Sequence, residues 1–442
     1  MKPSLFSITS QFVELGVESR SGSANFSKRR FTSLAAVGLA TALLLAVGTA
    51  RAQAAEPAPV AAPAAPPAPA AAAAPAAAAV PPPGPVPNEP PPGPPVVSNT
   101  EAMPATAEEK LPPISVGAWL RMGARLQGRN DPKKMNDLSM DTVYGELHAG
   151  GKIHKNVSVT LNLNANGLAG TAGIEDAIIG LDFMPELHLW IGQELVMVDR
   201  ANYAGPFFMV PWNYPGFLTV GGVTAVMAPK EGPAGRNKGA ELWGEINGGQ
   251  FKYFAGLFAP DGVSNSLLLS GRVTANFIGK EPGYFGNATY FGEKDVLSLN
   301  GGAQYQKRGS VGQPAVVGAP PPTADYGEIN VDALAEFRVL DGGWVTGDAA
   351  YYHFVGDNEV IKNGFYAVAA FATPKIGVGN IQPMLRYQYG KGDNAKISAI
   401  DASVGYLIQG PGLRFTANYQ HVDLGNSLVG NSVQLGAQAI FF

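Results

Sequence analysis

The stretch Ser115-Val-Gly-Ala-Trp-Leu-Arg-Met-Gly-Ala-Arg-Leu-Gln127 alternates between two kinds of residue. Even positions from Val116 to Leu126 are apolar, whereas odd positions include Arg121, Arg125 and Gln127. Because side chains two residues apart project from the same face of a β-strand, one face of this segment is apolar and the other is largely polar. The pattern therefore predicts an amphipathic strand.

The same two-residue period recurs through to the last residues of the chain and predicts sixteen strands. The predicted segments are 115–127, 141–153, 157–166, 174–184, 186–193, 237–246, 250–259, 269–278, 296–306, 327–339, 344–354, 364–373, 380–390, 397–408, 413–422 and 431–442. The signal of each segment is weak, and its repetition is what indicates a membrane barrel.

The connections between these segments favour the same architecture. Short turns such as Leu340-Asp-Gly-Gly343 alternate with mostly longer loops such as residues 194–236, which is the rule for transmembrane β-barrels. Residues 279–295 break the rule, because a short turn is expected there and the segment is long and aromatic. We predict an all-β fold for residues 114–442, a closed antiparallel transmembrane β-barrel of about sixteen strands, wide enough for a water-filled channel.

Composition narrows the classes of function. Charged residues make up 15% of the chain, below the roughly 25% of a soluble domain. The chain has no Cys, which excludes disulfides, thiolate metal sites and Cys nucleophiles, and its net charge of −4 does not indicate a nucleic-acid partner. None of the 5 His lies in a hydrolase or metalloprotease motif. We therefore expect no cofactor, no metal and no enzymatic activity.

The N-terminal residues predict export. Residues 1–52 form a long leader whose signal peptide comprises Lys28-Arg29-Arg30, an apolar run from Leu34 to Val47, and Ala50-Arg51-Ala52. Residues 53–113 are mostly Ala and Pro, a composition typical of a disordered, extended spacer, here expected in the periplasm. This linker is either a solvated tether without a partner or an arm that contacts peptidoglycan or a neighbouring subunit.

In its signal, strand count, long third loop and terminal Phe442, the chain resembles sixteen-stranded Gram-negative outer-membrane porins, loosely the phosphate-selective porin O/P type. The resemblance implies a channel in outer-membrane lipid for small hydrophilic solutes and ions, a homotrimer, and a third extracellular loop folded into the lumen. Phe442 would belong to the assembly signal. However, the better apolar phase of the last strand runs through Val433, Leu435 and Phe441, which places Phe442 on the opposite face.

The third loop, residues 194–236, is the predicted constriction. It is apolar and rich in Pro and aromatic residues, which favours packing against the inner wall over exposure at the surface, although contact between subunits or loops is the alternative. Asp199 and Arg200 are its candidate eyelet charges. Its candidate packing residues are Phe207, Phe208, Trp212 and Tyr214.

Alternation along the strands also predicts which charges line the lumen. The predicted basic wall comprises Arg121, Arg125, Arg386 and Arg414, near the seam where the sheet closes. The predicted acidic wall comprises Asp176, Asp182, Glu241, Glu245, Asp332, Glu336 and Asp348. Such opposed walls would create a transverse field and weak ion selectivity, whereas the alternative is a hydrated lumen with local ion pairs.

The balance of these charges bears on the solute. A phosphate channel would need a continuous column of bases, and acids here match or outnumber them, so passive diffusion of general solutes is favoured over an anion- or phosphate-preferring channel. The remaining alternative is a structural outer-membrane anchor with a narrow or closed barrel, whose linker contacts peptidoglycan. By parity, Trp119, Trp190 and Trp243 face inward.

Overall fold

The structure is a computed structural model. It describes residues 114–442 apart from 129–134, 220–234, 260–265, 312–320, 358, 424, 426–428 and 442. The predicted leader (1–52), the predicted linker (53–113) and Phe442 therefore lie outside the described residues.

The described strands form one closed antiparallel barrel of sixteen strands, which confirms the predicted fold class. Each strand pairs with its neighbours in sequence, and the first and last strands close the barrel with Ala118 opposite Phe441 and Gln127 opposite Ser432. The strands are β1 (Ser115–Gln127), β2 (Asp137–His154), β3 (Val157–Asn166), β4 (Thr171–Met184), β5 (Leu187–Leu195), β6 (Arg236–Ile246), β7 (Phe251–Phe258), β8 (Leu268–Ile278), β9 (Val296–Val311), β10 (Thr323–Leu340), β11 (Gly343–Val355), β12 (Asn363–Ala372), β13 (Asn380–Lys391), β14 (Lys396–Leu407), β15 (Leu413–Asp423) and β16 (Val429–Phe441).

The predicted segments differ from these strands mainly where a β-bulge interrupts the two-residue period. β2 begins at Asp137 rather than at 141, and its pairing with β1 shifts between Gly123 and Ala124. β10 begins at Thr323 rather than at 327, and its pairing with β9 shifts between Ala324 and Tyr326. A bulge adds one residue to one strand, so alternation read from sequence stops there while the strand continues.

The outer face of the barrel is apolar and the inner face is largely polar, the reverse of the arrangement in a soluble fold. Met122, Leu435 and Phe441 on the outer face are 53%, 60% and 57% exposed, whereas Asn418 and Gln434 on the inner face are buried. A soluble domain buries apolar side chains because their hydration is unfavourable, so an apolar outer face of this extent fits contact with lipid hydrocarbon.

The last strand follows the apolar phase predicted from Val433, Leu435 and Phe441, since Leu435 and Phe441 point outward and Gln434 and Gln438 point inward. The described residues also include a short α-helix, α1 (Arg200–Ala204), and a 3-10 turn at Gly216–Thr219. No helix among the described residues has the length and apolarity needed to cross a membrane.

Both ends of the chain's barrel portion, the start of β1 and the end of β16, lie at the same end of the barrel, here called the lower end. Two connections are long enough to reach other strands. The long loop, residues 196–235, joins β5 to β6 at the upper end, and the aromatic turn, residues 279–295, joins β8 to β9 at the lower end. These two segments hold most of the candidate site.

Candidate functional site in the barrel interior

The described part of the long loop is buried, and its contacts are with the inner faces of strands. Phe207, Trp212 and Phe217 are at most 1% exposed. Cβ atoms added at three strand glycines would meet this loop closely: Gly436 would contact the Trp212 ring at 2.5 Å, Gly364 the Phe217 ring at 2.5 Å, and Gly302 the Val198 carbonyl oxygen at 2.1 Å. These strands therefore need glycine so that the loop can pack against them.

Three residues of the predicted basic wall bind the backbone of the long loop. Arg121 donates to the Trp212 carbonyl oxygen, Arg386 to that of Asn213 and Arg414 to that of Met209, each at 2.6 Å. The Arg121 guanidinium also lies 3.9 Å from the centroid of the Trp212 ring, within range of a cation–π interaction. All three guanidinium groups are buried, and Arg386 also pairs with Asp401 on β14 at 3.0 Å, so none of the three presents a free positive charge to the lumen.

Residues of the predicted acidic wall bind the aromatic turn in the same manner. Glu336 accepts hydrogen bonds from the Thr289 hydroxyl at 2.7 Å and from the backbone N–H groups of Tyr290 and Gly292. Glu245 accepts from the Gly283 N–H at 2.6 Å, and Glu241 accepts from the Tyr284 hydroxyl. Asp348, farther from the turn, accepts from the Tyr366 hydroxyl at 3.4 Å.

A buried ionic network joins the long loop to the aromatic turn. Arg200 of α1 binds both carboxylate oxygens of Glu281, at 2.9 and 3.0 Å, and lies 3.3 Å from Asp332 on β10. Arg272 on β8 completes the network, with two bonds to Asp332 at 2.6 and 3.0 Å. Arg200 also donates to the Asn287 carbonyl oxygen at 2.6 Å, so it holds the turn at two points.

The ionisation of this network follows from its geometry. Burial raises the pKa of Glu281, but the Arg200 guanidinium outweighs burial and brings that pKa to about 2. Burial likewise lowers the pKa of Arg200, and Glu281 raises it to a value well above the ordinary one. Arg200 and Glu281 are therefore both charged at neutral pH.

The candidate eyelet charges Asp199 and Arg200 are both fully buried. Asp199 is the N-cap of α1, where its carboxylate accepts from the Asn202 N–H at 3.0 Å, and it also accepts from the Tyr352 hydroxyl at 3.0 Å. Burial raises the pKa of Asp199 to about 6. Both residues thus tie the long loop to its surroundings within the described structure.

Apolar contacts connect the same segments. Phe207 and Phe208 of the long loop pack in one cluster with Phe291 of the aromatic turn and Trp344 of β11, and Trp119 packs against that cluster. A larger cluster combines Met209 and Phe217 with Tyr284 and inward-facing strand residues, and Tyr214 packs against its edge. An apolar core therefore fills part of the interior of a barrel whose inner face is otherwise polar.

The inner face of β1–β5, together with Arg236 at the start of β6, differs, because it carries a series of ion pairs in each of which at least one partner is partly exposed. Arg125 pairs with Asp141 at 2.7 Å, with side chains 13% and 15% exposed. The other pairs are Arg236 with Glu175 and Asp176, both at 3.0 Å, and Lys152 with Asp182 at 3.9 Å. Two contacts are ionic only when the His is protonated: His148 with Glu146 at 3.0 Å and His188 with Asp182 at 2.9 Å.

The two-residue alternation of the strands does not predict several of the residues of this site. Asp141 lies in the bulge of β2 opposite β1, and Glu175 precedes Asp176 where the register of β3 and β4 shifts, so both adjacent acids are buried. Glu281 lies outside any strand, in the turn that already departs from the expected length. Within the described part of the chain, no group of three or more His, Asp or Glu could hold a metal ion.

Comparisons with known proteins show a similarity of fold alone. No protein-family model and no curated protein sequence matches this chain. Among solved structures, it is similar to Pseudomonas putida OprB (9% identity, TM-score 0.53, 74% of this chain and 94% of the other). It is also similar to OmpT, an outer membrane protein of Vibrio cholerae, in its trimer form (13%, 0.51, 74% and 99%), and to Salmonella typhi OmpF in complex with daunomycin (12%, 0.50, 74% and 97%). This chain therefore has the sixteen-stranded barrel fold of Gram-negative outer-membrane porins.

Proposed function

We propose that this protein is an outer-membrane porin, a water-filled channel for the passive diffusion of small hydrophilic solutes and ions. The observation that carries the proposal is the partly exposed series of ion pairs along β1–β5, inside a closed barrel with an apolar outer face. Paired charges keep such a surface hydrated, and they add little net field, so the channel discriminates weakly among solutes.

The long loop is the proposed constriction of this channel. Its described residues bond to β1, β13 and β15 through Arg121, Arg386 and Arg414, and to β10 through the Arg200–Asp332 pair. A segment bonded to the inner faces of such widely separated strands narrows the lumen between them. We place the lower end in the periplasm, because the predicted signal peptide delivers the chain from that side.

Assembly as a homotrimer in the outer membrane is part of the proposal. The apolar outer face of the barrel supports contact with lipid or with a second protomer, and one of the similar solved structures is described as a trimer form. The Ala/Pro-rich residues 53–113 would then extend into the periplasm, with peptidoglycan as a candidate partner.

Two alternatives differ in how they use the interior. A structural anchor with a narrow barrel is favoured by one observation, the apolar core that joins the long loop, the aromatic turn and the strands. A phosphate-preferring channel lacks comparable support, because Arg121, Arg386 and Arg414 are buried and bonded to loop carbonyls rather than arranged as a free column.

Liposome swelling tests the proposal with defined solutes. Liposomes that contain the purified chain should swell in isotonic solutions of small sugars, at rates that fall as the sugar becomes larger, whereas liposomes without protein should not swell. A barrel that inserts correctly but admits no sugar and no salt would contradict the channel and favour the anchor. Co-sedimentation with peptidoglycan, with and without residues 53–113, would then test the anchor directly.

A further inference from the structure

The aromatic turn occupies a position that its place in the chain does not predict. It joins two neighbouring strands at the lower end, where a few residues suffice, yet it spans residues 279–295. Ala288 and Thr289 are at most 1% exposed, and Tyr284 stacks on Trp190 with ring centroids 3.9 Å apart. The turn therefore folds back against the inner faces of the strands.

The turn crosses a wide sector of the barrel. On one side, the Tyr284 carbonyl oxygen accepts from Lys252 of β7 at 3.2 Å, and on the other, Gly292 lies against Trp344 of β11, where an added Cβ would meet the indole at 2.6 Å. In the middle, the Ala288 N–H donates to the Phe208 carbonyl oxygen at 3.1 Å. The long loop and the aromatic turn thus meet inside the barrel as well as through the Arg200–Glu281 pair.

Their combined packing makes the two sides of the interior unequal. Away from the rims, the inward-facing residues of β7–β15 with described burial are buried, including Thr346, Arg386 and Ser403. The inward-facing residues of β1–β5 are mixed: Tyr144 and Thr160 remain partly exposed, whereas others such as Glu146, Asn162 and Asp176 are buried. Water therefore reaches the inner wall mainly along β1–β5, beside the series of ion pairs.

From this asymmetry we infer that solutes pass along β1–β5 only, and that the aromatic turn is the lower half of the constriction, fixed to the long loop by Arg200 and Glu281. The inference rests on the proposed channel function and assigns its selectivity to the ion pairs of β1–β5, in particular Arg125 with Asp141 and Arg236 with Glu175. These ion pairs would select solutes on one side of the lumen, while the other side is a packed core.

Single cysteines test this path, because the chain has no native Cys. Thr160→Cys on β3 and Thr346→Cys on β11 form a matched pair. Both strands start at the lower end of the barrel, and each Thr lies three positions after the first residue of its strand with its side chain pointing inward. A membrane-impermeant, charged methanethiosulfonate reagent is added to protein in planar bilayers, and both the current and the labelling rate by mass spectrometry are recorded.

We expect the thiol of Thr160→Cys to react and to reduce the current. The thiol of Thr346→Cys should react at least about tenfold more slowly, since it must wait for local opening of the core. Adding Glu281→Gln to Thr346→Cys should raise its labelling rate, because the Arg200 tie is weakened. Adding Asp295→Asn, at an exposed pair in the same turn, should leave that rate unchanged.

Equal labelling rates of the two thiols in a conducting protein would overturn the inference without contradicting the channel function. A current that is reduced by labelling of neither thiol would have the same meaning. The comparison of the single variants does not depend on whether Glu281→Gln folds. Absence of current from correctly inserted protein would instead contradict the proposed function itself.

Discussion

At the scale of residues, the pair Arg200 and Glu281 is the ionic contact that joins the long loop to the aromatic turn. Its side chains are 0% and 1% exposed and make two parallel bonds, the geometry in which a guanidinium binds a carboxylate most strongly. Removing one partner of such a pair leaves the other charge buried without compensation, and this strongly lowers the free energy of unfolding.

Glu281→Gln should therefore lower the free energy of unfolding by about 3–5 kcal/mol, the range for breaking a buried ion pair. Denaturant unfolding of the barrel in lipid bilayers measures this change. The control is Asp295→Asn, which removes the partner of Arg338 at the lower rim, where the side chains are 38% and 56% exposed, and which should change stability little. Equal losses for the two variants would show that the buried pair is not special.

The pKa of Glu281, lowered from 4.5 to about 2, also predicts a pH dependence. A carboxyl whose pKa is lowered by folding adds stability above its ordinary pKa, and that stability is lost as the pH falls from 4.5 through about 2. Asp199 acts in the opposite sense, because burial raises its pKa to about 6 and its contribution is lost as the pH rises through that value.

The difference in stability between the wild type and Glu281→Gln isolates the first effect. Arg200, Lys252 and Tyr290 face this carboxylate, and of these Arg200 and Lys252 carry the opposing charge. We expect the difference to be larger at about pH 5 than at about pH 3, as linkage requires. A difference that does not depend on pH would contradict the lowered pKa.

At the scale of elements, alternation determined most of what could be predicted. β1 and β3 have the predicted bounds, and the phase of β16 follows its apolar residues Leu435 and Phe441. Alternation is a local property, since each residue's environment repeats every two positions, and it therefore fails at bulges such as that beside Asp141.

Packing of the interior could not be predicted in this way. Arg200 and Glu281 are 81 positions apart, and no local pattern connects an α-helical residue of one loop with an acid in the turn between two other strands. The length and aromatic content of residues 279–295 did signal an exception. What the sequence lacked was the information that this turn points into the barrel rather than away from it.

Substitutions on the outer face test whether β16 is a lipid-facing strand. Leu435 lies in the middle of β16, opposite Ala124 and Ala417, and is 60% exposed. Leu435→Arg should destabilise the barrel in bilayers by about 2–4 kcal/mol, as expected for a charge facing lipid at the midplane. Leu138→Arg at the upper end of β2 should cost only about 0–1 kcal/mol, the value near the interface. Similar losses at the two sites would contradict this membrane placement.

At the scale of the whole molecule, the two predicted walls have a structural role as well as a charge. Three residues of the predicted basic wall, Arg121, Arg386 and Arg414, bind carbonyl oxygens of the long loop. Three residues of the predicted acidic wall, Glu241, Glu245 and Glu336, bind N–H and hydroxyl groups of the aromatic turn. Because these buried charges are directed mainly at the two segments, we expect an ion in the proposed channel to meet chiefly the ion pairs along β1–β5.

Arg125 is the member of the predicted basic wall to which we assign ion selectivity. Arg125→Ala leaves the carboxylate of Asp141, 15% exposed, without its base, so the reversal potential in a KCl gradient should shift toward that of K⁺. The control is Arg338→Ala, which removes an exposed base at the lower rim. An unchanged reversal potential for Arg125→Ala would remove Arg125 and Asp141 from the path.

The most direct test of the central claim is the ion current through single molecules of the purified chain in a planar lipid bilayer. A water-filled channel predicts stepwise, ohmic conductance increments as molecules insert, with weak ion selectivity. Correctly inserted barrels that carry no current at any salt concentration would contradict the claim that this protein is a channel.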